Sequence, residues 1–130
     1  MIPWTNDELN KIGSAEELRI AALRADGTLR KPVIIWVVRL DDELYVRSVN
    51  GRNSAWFSGV QVQHAGRIWA GGMEKEVSFV EEADPEINKK IDAAYAAKYR
   101  RYPSSVEHIN SPTARSATIK LMPRSKHLKE

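Results

Sequence analysis

The fold turns on the stretch Asp26-Gly27-Thr28-Leu29-Arg30-Lys31-Pro32-Val33-Ile34-Ile35-Trp36-Val37-Val38-Arg39-Leu40-Asp41-Asp42-Glu43-Leu44-Tyr45-Val46-Arg47-Ser48. Asp26-Gly27 is a strong turn signal, because glycine takes a positive φ without a steric penalty and aspartate bonds to its own backbone. Pro32 donates no ladder hydrogen bond and belongs at the start of a strand. Residues 33–40 are rich in Val, Ile and Trp, which predicts one strand with both faces buried. Asp41-Asp42 turns the chain back into residues 43–49. There Leu44, Val46 and Ser48 share one face, and Tyr45, Arg47 and Val49 share the other. A short turn between neighbouring strands makes this pair antiparallel.

Upstream, Thr5 and Glu8 have capping-box spacing, which predicts a short helix over residues 6–12 stopped by Gly13. Leu18, Ile20 and Ala22 alternate with their neighbours as a strand does. Downstream, Asn50-Gly51-Arg52-Asn53-Ser54 is loop chemistry, and Asn53 or Ser54 is placed to cap a short helix carrying Trp56 and Phe57. Residues 60–64 and 67–70 read as a hairpin around Ala65-Gly66, and Gly71-Gly72 turns into a strand over residues 73–80. Asp84 and Pro85 open the longest helix, with Ile87, Ile91, Ala94, Tyr95, Lys98 and Tyr102 on one stripe and Pro103 as its stop. Ser111-Pro112 suggests a second brief helix, and residues 118–122 a final strand. Six to seven sequential strands with one long helix in the C-terminal half and short flanking helices make a mainly β (α+β) fold. An antiparallel barrel or a strongly curled sheet is expected, as a single domain over residues 1–130.

Composition excludes more than it assigns. The 130 residues include no cysteine, so neither a disulfide nor a thiol nucleophile is available. The polar, acidic opening lacks the pattern of a secretory leader, and the apolar run from Pro32 to Val38 is too short to cross a bilayer, so a cytoplasmic location is expected. A net charge of +3 is compatible with an anionic ligand and too small to argue for nucleic acid. Acids concentrate between Glu74 and Asp92, while Lys98, Arg100, Arg101 and the tail after Arg115 are basic, a pattern typical of solvated surface. His64, His108 and His127 have no metal-ligand spacing, and neither a Gly-x-Ser-x-Gly nor a P-loop pattern occurs. Any enzymatic reactivity would therefore come from a cofactor.

One constellation remains. Arg30-Lys31 precedes the apolar strand, Arg47-Ser48 ends the next, and Arg52-Asn53-Ser54 lies at a possible helix start. Guanidinium groups, hydroxyls and free helix-start amides are what a phosphate needs, and Trp36, Trp56 and Trp69 could wall an aromatic ring system. Ordinary strand-end charges and core aromatics would give the same pattern.

The stretch from Asp26 to Ser48 resembles the opening hairpin of flavin-binding split β-barrels, which include pyridoxamine-phosphate-oxidase-like proteins and deazaflavin-dependent nitroreductases. Asn50-Gly51 followed by Ala55-Trp56-Phe57 is similar to a nitroreductase loop and helix, and Arg67-Ile68-Trp69-Ala70-Gly71-Gly72 to the hairpin after it. More narrowly, Trp4-Thr5, Arg47-Ser48, Ala70-Gly71-Gly72, Ala93-Ala94-Tyr95, Lys98-Tyr99, Arg101-Tyr102 and Ser111-Pro112 resemble an uncharacterised bacterial family, domain-of-unknown-function family 2255. The resemblance implies an antiparallel split β-barrel, a homodimer, and FMN or a deazaflavin coenzyme in a groove near the subunit interface. It places Arg30, Lys31, Arg47 and Ser48 at the cofactor phosphate, with Ser54 and Trp56 on the bordering helix and Arg52 and Asn53 beside it. The implied activity is cofactor-mediated hydride transfer to a small organic substrate. A cofactor-free barrel binding another small molecule or a protein partner is the alternative, and a single-stranded nucleic-acid binder ranks last.

Overall fold

A computed structural model describes residues 3–124. Met1, Ile2 and the end of the basic tail, including His127, lie outside the described residues. The chain opens with α1 (Asn6–Gly13), where Thr5 and Glu8 form the expected capping box. β1 (Leu18–Ala22) leads through the Asp26-Gly27 turn, with Gly27 at φ 89°, into the apolar stretch. That stretch is two strands: β2 (Val33–Ile35) and β3 (Val37–Leu40). β4 (Glu43–Arg47) returns antiparallel to β3, with Asp41 in the turn at φ 55°. A 3₁₀ turn (Gly51–Asn53) and α2 (Ala55–Val62) follow, then the hairpin of β5 (Ala65–Ala70) and β6 (Met73–Glu81). α3 (Pro85–Lys98), α4 (Pro103–Ile109) and α5 (Pro112–Arg115) precede β7 (Thr118–Pro123).

The strands form one antiparallel sheet in the order β2-β1-β5-β6-β7-β4-β3. β2 pairs with β1 and β3 with β4, so the two halves of one extended run occupy opposite ends of the sheet. The covalent corner at Trp36 brings those ends together and nearly closes the barrel. This corrects the expectation of a single strand over residues 33–40. It also explains why Ile34 is 62% exposed although both faces were expected to be buried: β2 has already left the barrel wall formed by β3 and β4.

α3 fixes the corner. The Tyr95 hydroxyl donates to the Trp36 carbonyl at 3.0 Å, Lys98 Nζ to the carbonyls of Val37 and Ala15 at 2.6 and 2.7 Å, and the Tyr99 hydroxyl to Glu16 O at 2.7 Å. The Trp36 and Tyr99 rings stack at 3.7 Å with planes 3° apart. Carbonyls that a bent strand would leave unpaired are thereby bonded. The face alternation of β4 is as expected. Leu44 and Val46 point into the barrel with Ile20, Phe57, Ile68 and Leu121, while Tyr45 packs outside under α3 with Ile91, Tyr95 and Tyr99.

Two other expectations change. Residues 60–62 belong to α2, whose Phe57 and Val60 are buried three apart on one face, so no hairpin forms around Ala65-Gly66. The turn at Gly71-Gly72, with φ of 58° and 78°, makes the hairpin instead. α3 ends at Lys98 with Tyr99 as its C-cap, and Pro103 opens α4, a helix the sequence reading did not anticipate.

Burial pushes the Lys98 ammonium down from 10.5 to about 8, opposed by nearby Glu16. Between those values the unfolded chain binds more protons at this position than the folded one, so stability should rise with pH. Burial also raises Tyr95 and Tyr99 well above the ordinary 10.0, so ionising phenols in the unfolded chain reverse the trend above that point. The urea midpoint should therefore increase from pH 8 towards pH 10, and Lys98→Met should remove that rise. A wild-type midpoint that is flat or falling over this interval would count against the assignment.

Candidate functional site

Arg47 is the largest fully buried side chain, at 0% exposure. A buried guanidinium is tolerated only when its donors are bonded and its charge is answered. Its Nε donates to Thr118 Oγ1 at 2.9 Å. One terminal nitrogen donates to Asp92 Oδ1 at 2.6 Å, Asn110 Oδ1 at 3.0 Å and the Ile109 carbonyl. The other donates to the Asn88 side chain at 2.8 Å and the Asn88 carbonyl at 3.2 Å. β4, β7, α3 and α4 thus meet at one side chain. Asp92 also pairs with Arg115 at 2.7 Å, so two guanidiniums share a single carboxylate.

Beside this cluster lies a cavity of about 450 Å³. Its apolar wall is built by Val33 and Ile35 of β2, Trp36 at the corner, Trp56 of α2 and Ile109 of α4. Its polar end holds Ser48, Asn50 and Ser54, and Ser105 and His108 come from α4. The hydroxyls of Ser48 and Ser54 are 2.7 Å apart. Ser54 occupies the N-cap position of α2 without bonding that helix's amides, because its hydroxyl pairs with Ser48 instead. Among the described residues, no carboxylate lines the cavity.

The structure gathers Trp36, Arg47, Ser48, Ser54 and Trp56 at this cavity and leaves Arg30, Lys31, Arg52, Asn53 and Trp69 off its lining. Arg47 forms part of the wall, and its N–H groups, which the resemblance would direct at a phosphate, are bonded within the protein. Arg52 pairs with Glu81 at 2.9 Å, donates to the Ser116 carbonyl and lies 5.1 Å from the centre of the Phe57 ring, away from the lining. Asn53 and Lys31 are exposed outside it. Arg30 packs over Gly59 of α2, where an added Cβ would lie 2.7 Å from its Nε, and that Nε is buried without a partner. Trp69 stands on β5 under Arg19, at 5.3 Å, and does not reach the cavity. Sequence reasoning missed Ser105 and His108 because it read Pro103 only as a stop. Pro103 at a first helical position, with Val106 and Ile109 three apart, was the available signal.

The chain belongs to the DUF2255 family. That family is described as uncharacterized proteins conserved in bacteria, and its model matches residues 8–121. No curated protein matches the chain in sequence. Among solved structures, a candidate pyridoxamine 5′-phosphate oxidase from Listeria innocua is similar at a TM-score of 0.67 and 14% identity, covering 92% of this chain and 93% of the other. The heme storage protein HutZ from Vibrio cholerae gives 0.64 at 10% identity, covering 95% and 92%. An FAD-binding protein from Mesorhizobium loti gives 0.57 at 16% identity, covering 95% and 93%. At these identities the likeness establishes the split-barrel fold of this DUF2255 chain and nothing finer. Among the described residues, no helix is long and apolar enough to cross a membrane.

Arg47→Met should cost about 1–3 kcal/mol in urea unfolding, because it takes the donor from the Asn88 and Ile109 carbonyls and from Asn110 Oδ1 beside a new apolar chain, while Asp92 keeps Arg115 as its partner. Adding Asp92→Asn should lower stability further, because Arg115 then loses its carboxylate. A double variant as stable as the single one would show that the Asp92–Arg115 pair contributes nothing.

Proposed function

We propose that the protein is a split barrel that binds a planar aromatic small molecule between the indoles of Trp36 and Trp56. The carrying observation is the cavity itself: about 450 Å³, apolar along its walls, with two hydroxyls and the amino end of α2 at its polar end. That volume lies within the range of small-molecule and cofactor sites. The Listeria, Vibrio and Mesorhizobium structures are described by names that point to different ring systems, which supports a fold open to planar ligands rather than one fixed chemistry. The residues fit a ring system. They do not fit an ion-paired phosphate, because Arg47 has its donors occupied and Lys31 and Arg52 lie outside the lining.

A second reading makes the occupant a flavin or deazaflavin and the protein an oxidoreductase. The FAD-binding neighbour and the absence of Cys from the sequence favour it, since the ring would supply hydride transfer that these side chains do not. In that reading the chain's own part is to stack the ring on the indoles and to bond its polar edge through Ser48 and Ser54. A homodimer is the assembly proposed with it. Ile34 and Val49, 62% and 45% exposed on the cavity lining, are the apolar residues a second copy would cover, and sedimentation velocity reads the state directly.

Fluorescence titration with riboflavin and FMN tests the cavity. Riboflavin is expected to bind at least as tightly as its phosphate ester, and a tenfold preference for FMN would restore the phosphate site and overturn the present reading. Trp56 is only partly buried, whereas Phe57 is fully buried. Phe57→Ala should therefore cost about 3–5 kcal/mol of stability and Trp56→Ala clearly less, with ring binding lost in the Trp56 variant. Unchanged riboflavin affinity in Trp56→Ala would remove the indole from the site.

A further inference from the structure

We infer that the cavity selects its planar ligand in the deprotonated form, as an aromatic anion whose charge is spread over the ring. The inference rests on the reading of the cavity as a planar-ligand site and adds the ligand's charge state. It follows from charges that surround the cavity without contacting its interior as free donors.

The charged groups can be taken element by element. β2 contributes none, since its lining residues are Val33, Ile34 and Ile35. β4 contributes Arg47, α3 contributes Asp92 and α5 contributes Arg115. The two guanidiniums bond the same carboxylate, at 2.6 and 2.7 Å, and no other ion pair involves any of the three among the described residues. Two positive charges and one negative leave one positive charge, shared between Arg47, on the lining at 0% exposure, and Arg115, behind it at 40% side-chain exposure. α4 brings His108 to the lining and carries Glu107, exposed and off the lining, and the loop before α2 carries Arg52, already paired with Glu81. α2 directs the positive end of its dipole from Ser54 and Trp56, both of which line the cavity. Among the described residues, no carboxylate lies on the lining to offset these contributions.

Hydrogen counting points the same way. Ser48 and Ser54 carry one O–H each, and their mutual bond uses one of them. Either hydroxyl can be the donor; when Ser48 donates, the O–H of half-buried Ser54, on the cavity lining, has no acceptor among the described residues. An acceptor atom at the edge of a ligand would take that bond.

These features distinguish kinds of anion. A phosphate or carboxylate concentrates its charge on oxygens that demand direct N–H contacts, and Arg47 has none to give. A deprotonated heteroaromatic imide or phenol spreads its charge, needs one or two hydrogen bonds, and gains from a positive field across a partly dry cavity. The ligand class is therefore acidic planar heterocycles and phenols.

Umbelliferone (7-hydroxycoumarin) tests this, because its neutral and anionic forms have separate fluorescence excitation bands. With saturating protein, the acid dissociation of bound probe should move down by about one pH unit or more, which is a tenfold preference for the anion. Arg115→Gln removes the unanswered charge and should abolish most of that shift, while folding is checked by circular dichroism. Lys31→Gln, at an exposed residue outside the cavity, should retain the shift. A probe that binds with an unchanged or raised dissociation overturns the inference and leaves the planar-ligand reading standing. Failure of both umbelliferone and riboflavin to bind overturns both. A shift that persists in Arg115→Gln or vanishes in Lys31→Gln removes the shared-carboxylate field as its source.

Discussion

The buried guanidinium of Arg47 is the constraint from which the rest of the architecture follows. A charge with no access to water must be surrounded by acceptors, and β4 alone offers none. Thr118 comes from β7, Asn88 and Asp92 from α3, and Ile109 and Asn110 from the end of α4. These elements are far apart in sequence and must converge if the cation is not to be stranded. Asn88 repeats the logic on a smaller scale, its side-chain amide donating to the carbonyls of Glu82 and Asp84 at the start of α3 while its oxygen accepts from Arg47. The helical layer is thus tied to the barrel by a polar cluster as well as by the apolar contacts of Tyr45, Ile91 and Tyr95.

Barrel closure depends on a different device, the corner at Trp36. A sheet closed by hydrogen bonds has no edges, whereas here the ends are joined by the chain itself, and each bent carbonyl must be bonded from elsewhere. Tyr95 and Lys98, one turn apart on α3, and Tyr99, its C-cap, do this, with the Tyr99 ring stacked on the indole. The same corner faces the cavity, so the groups that close the barrel also hold one wall of the candidate site in place. Packing of α3 and geometry of the cavity are therefore one problem rather than two.

Local signals in the sequence were readable where a single residue type decides the conformation. Thr5 with Glu8, Asp26-Gly27, Gly71-Gly72, Asp84-Pro85 and Ser111-Pro112 each specify a cap or turn through their own backbone chemistry, and each forms as expected. The face alternation of β4 was legible for the same reason. What could not be read was tertiary. Nothing local in Val33 to Leu40 marks Trp36 as a corner, because the bend is stabilised by side chains about sixty residues away. Residues 60–62 have strand-like composition and become helix because Phe57 and Val60 share a buried face. At the site, Ser48, Ser54 and Trp56 reach the cavity, whereas Arg47 is drawn into the interior by partners the sequence does not place next to it.

Arg47 also shows why residue type is a weak guide to a binding role. From composition alone, an arginine at a strand end beside a serine is a phosphate ligand waiting for its phosphate. In the folded chain its hydrogen-bonding capacity is spent, and only its charge remains effective, because a field crosses a wall that a hydrogen bond cannot. Asp92 could have cancelled that charge, but Arg115 shares the same carboxylate. A cavity built in this way rewards delocalised negative charge and not an anionic group that needs direct N–H contacts. The discrimination left to it lies in shape, between the two indoles, and in the single unmatched hydroxyl proton of the Ser48–Ser54 pair. The split barrel thus supplies a slot between its corner and α2, and the polar cluster that holds the helices on supplies the slot's electrostatic character. Neither could be altered without disturbing the other.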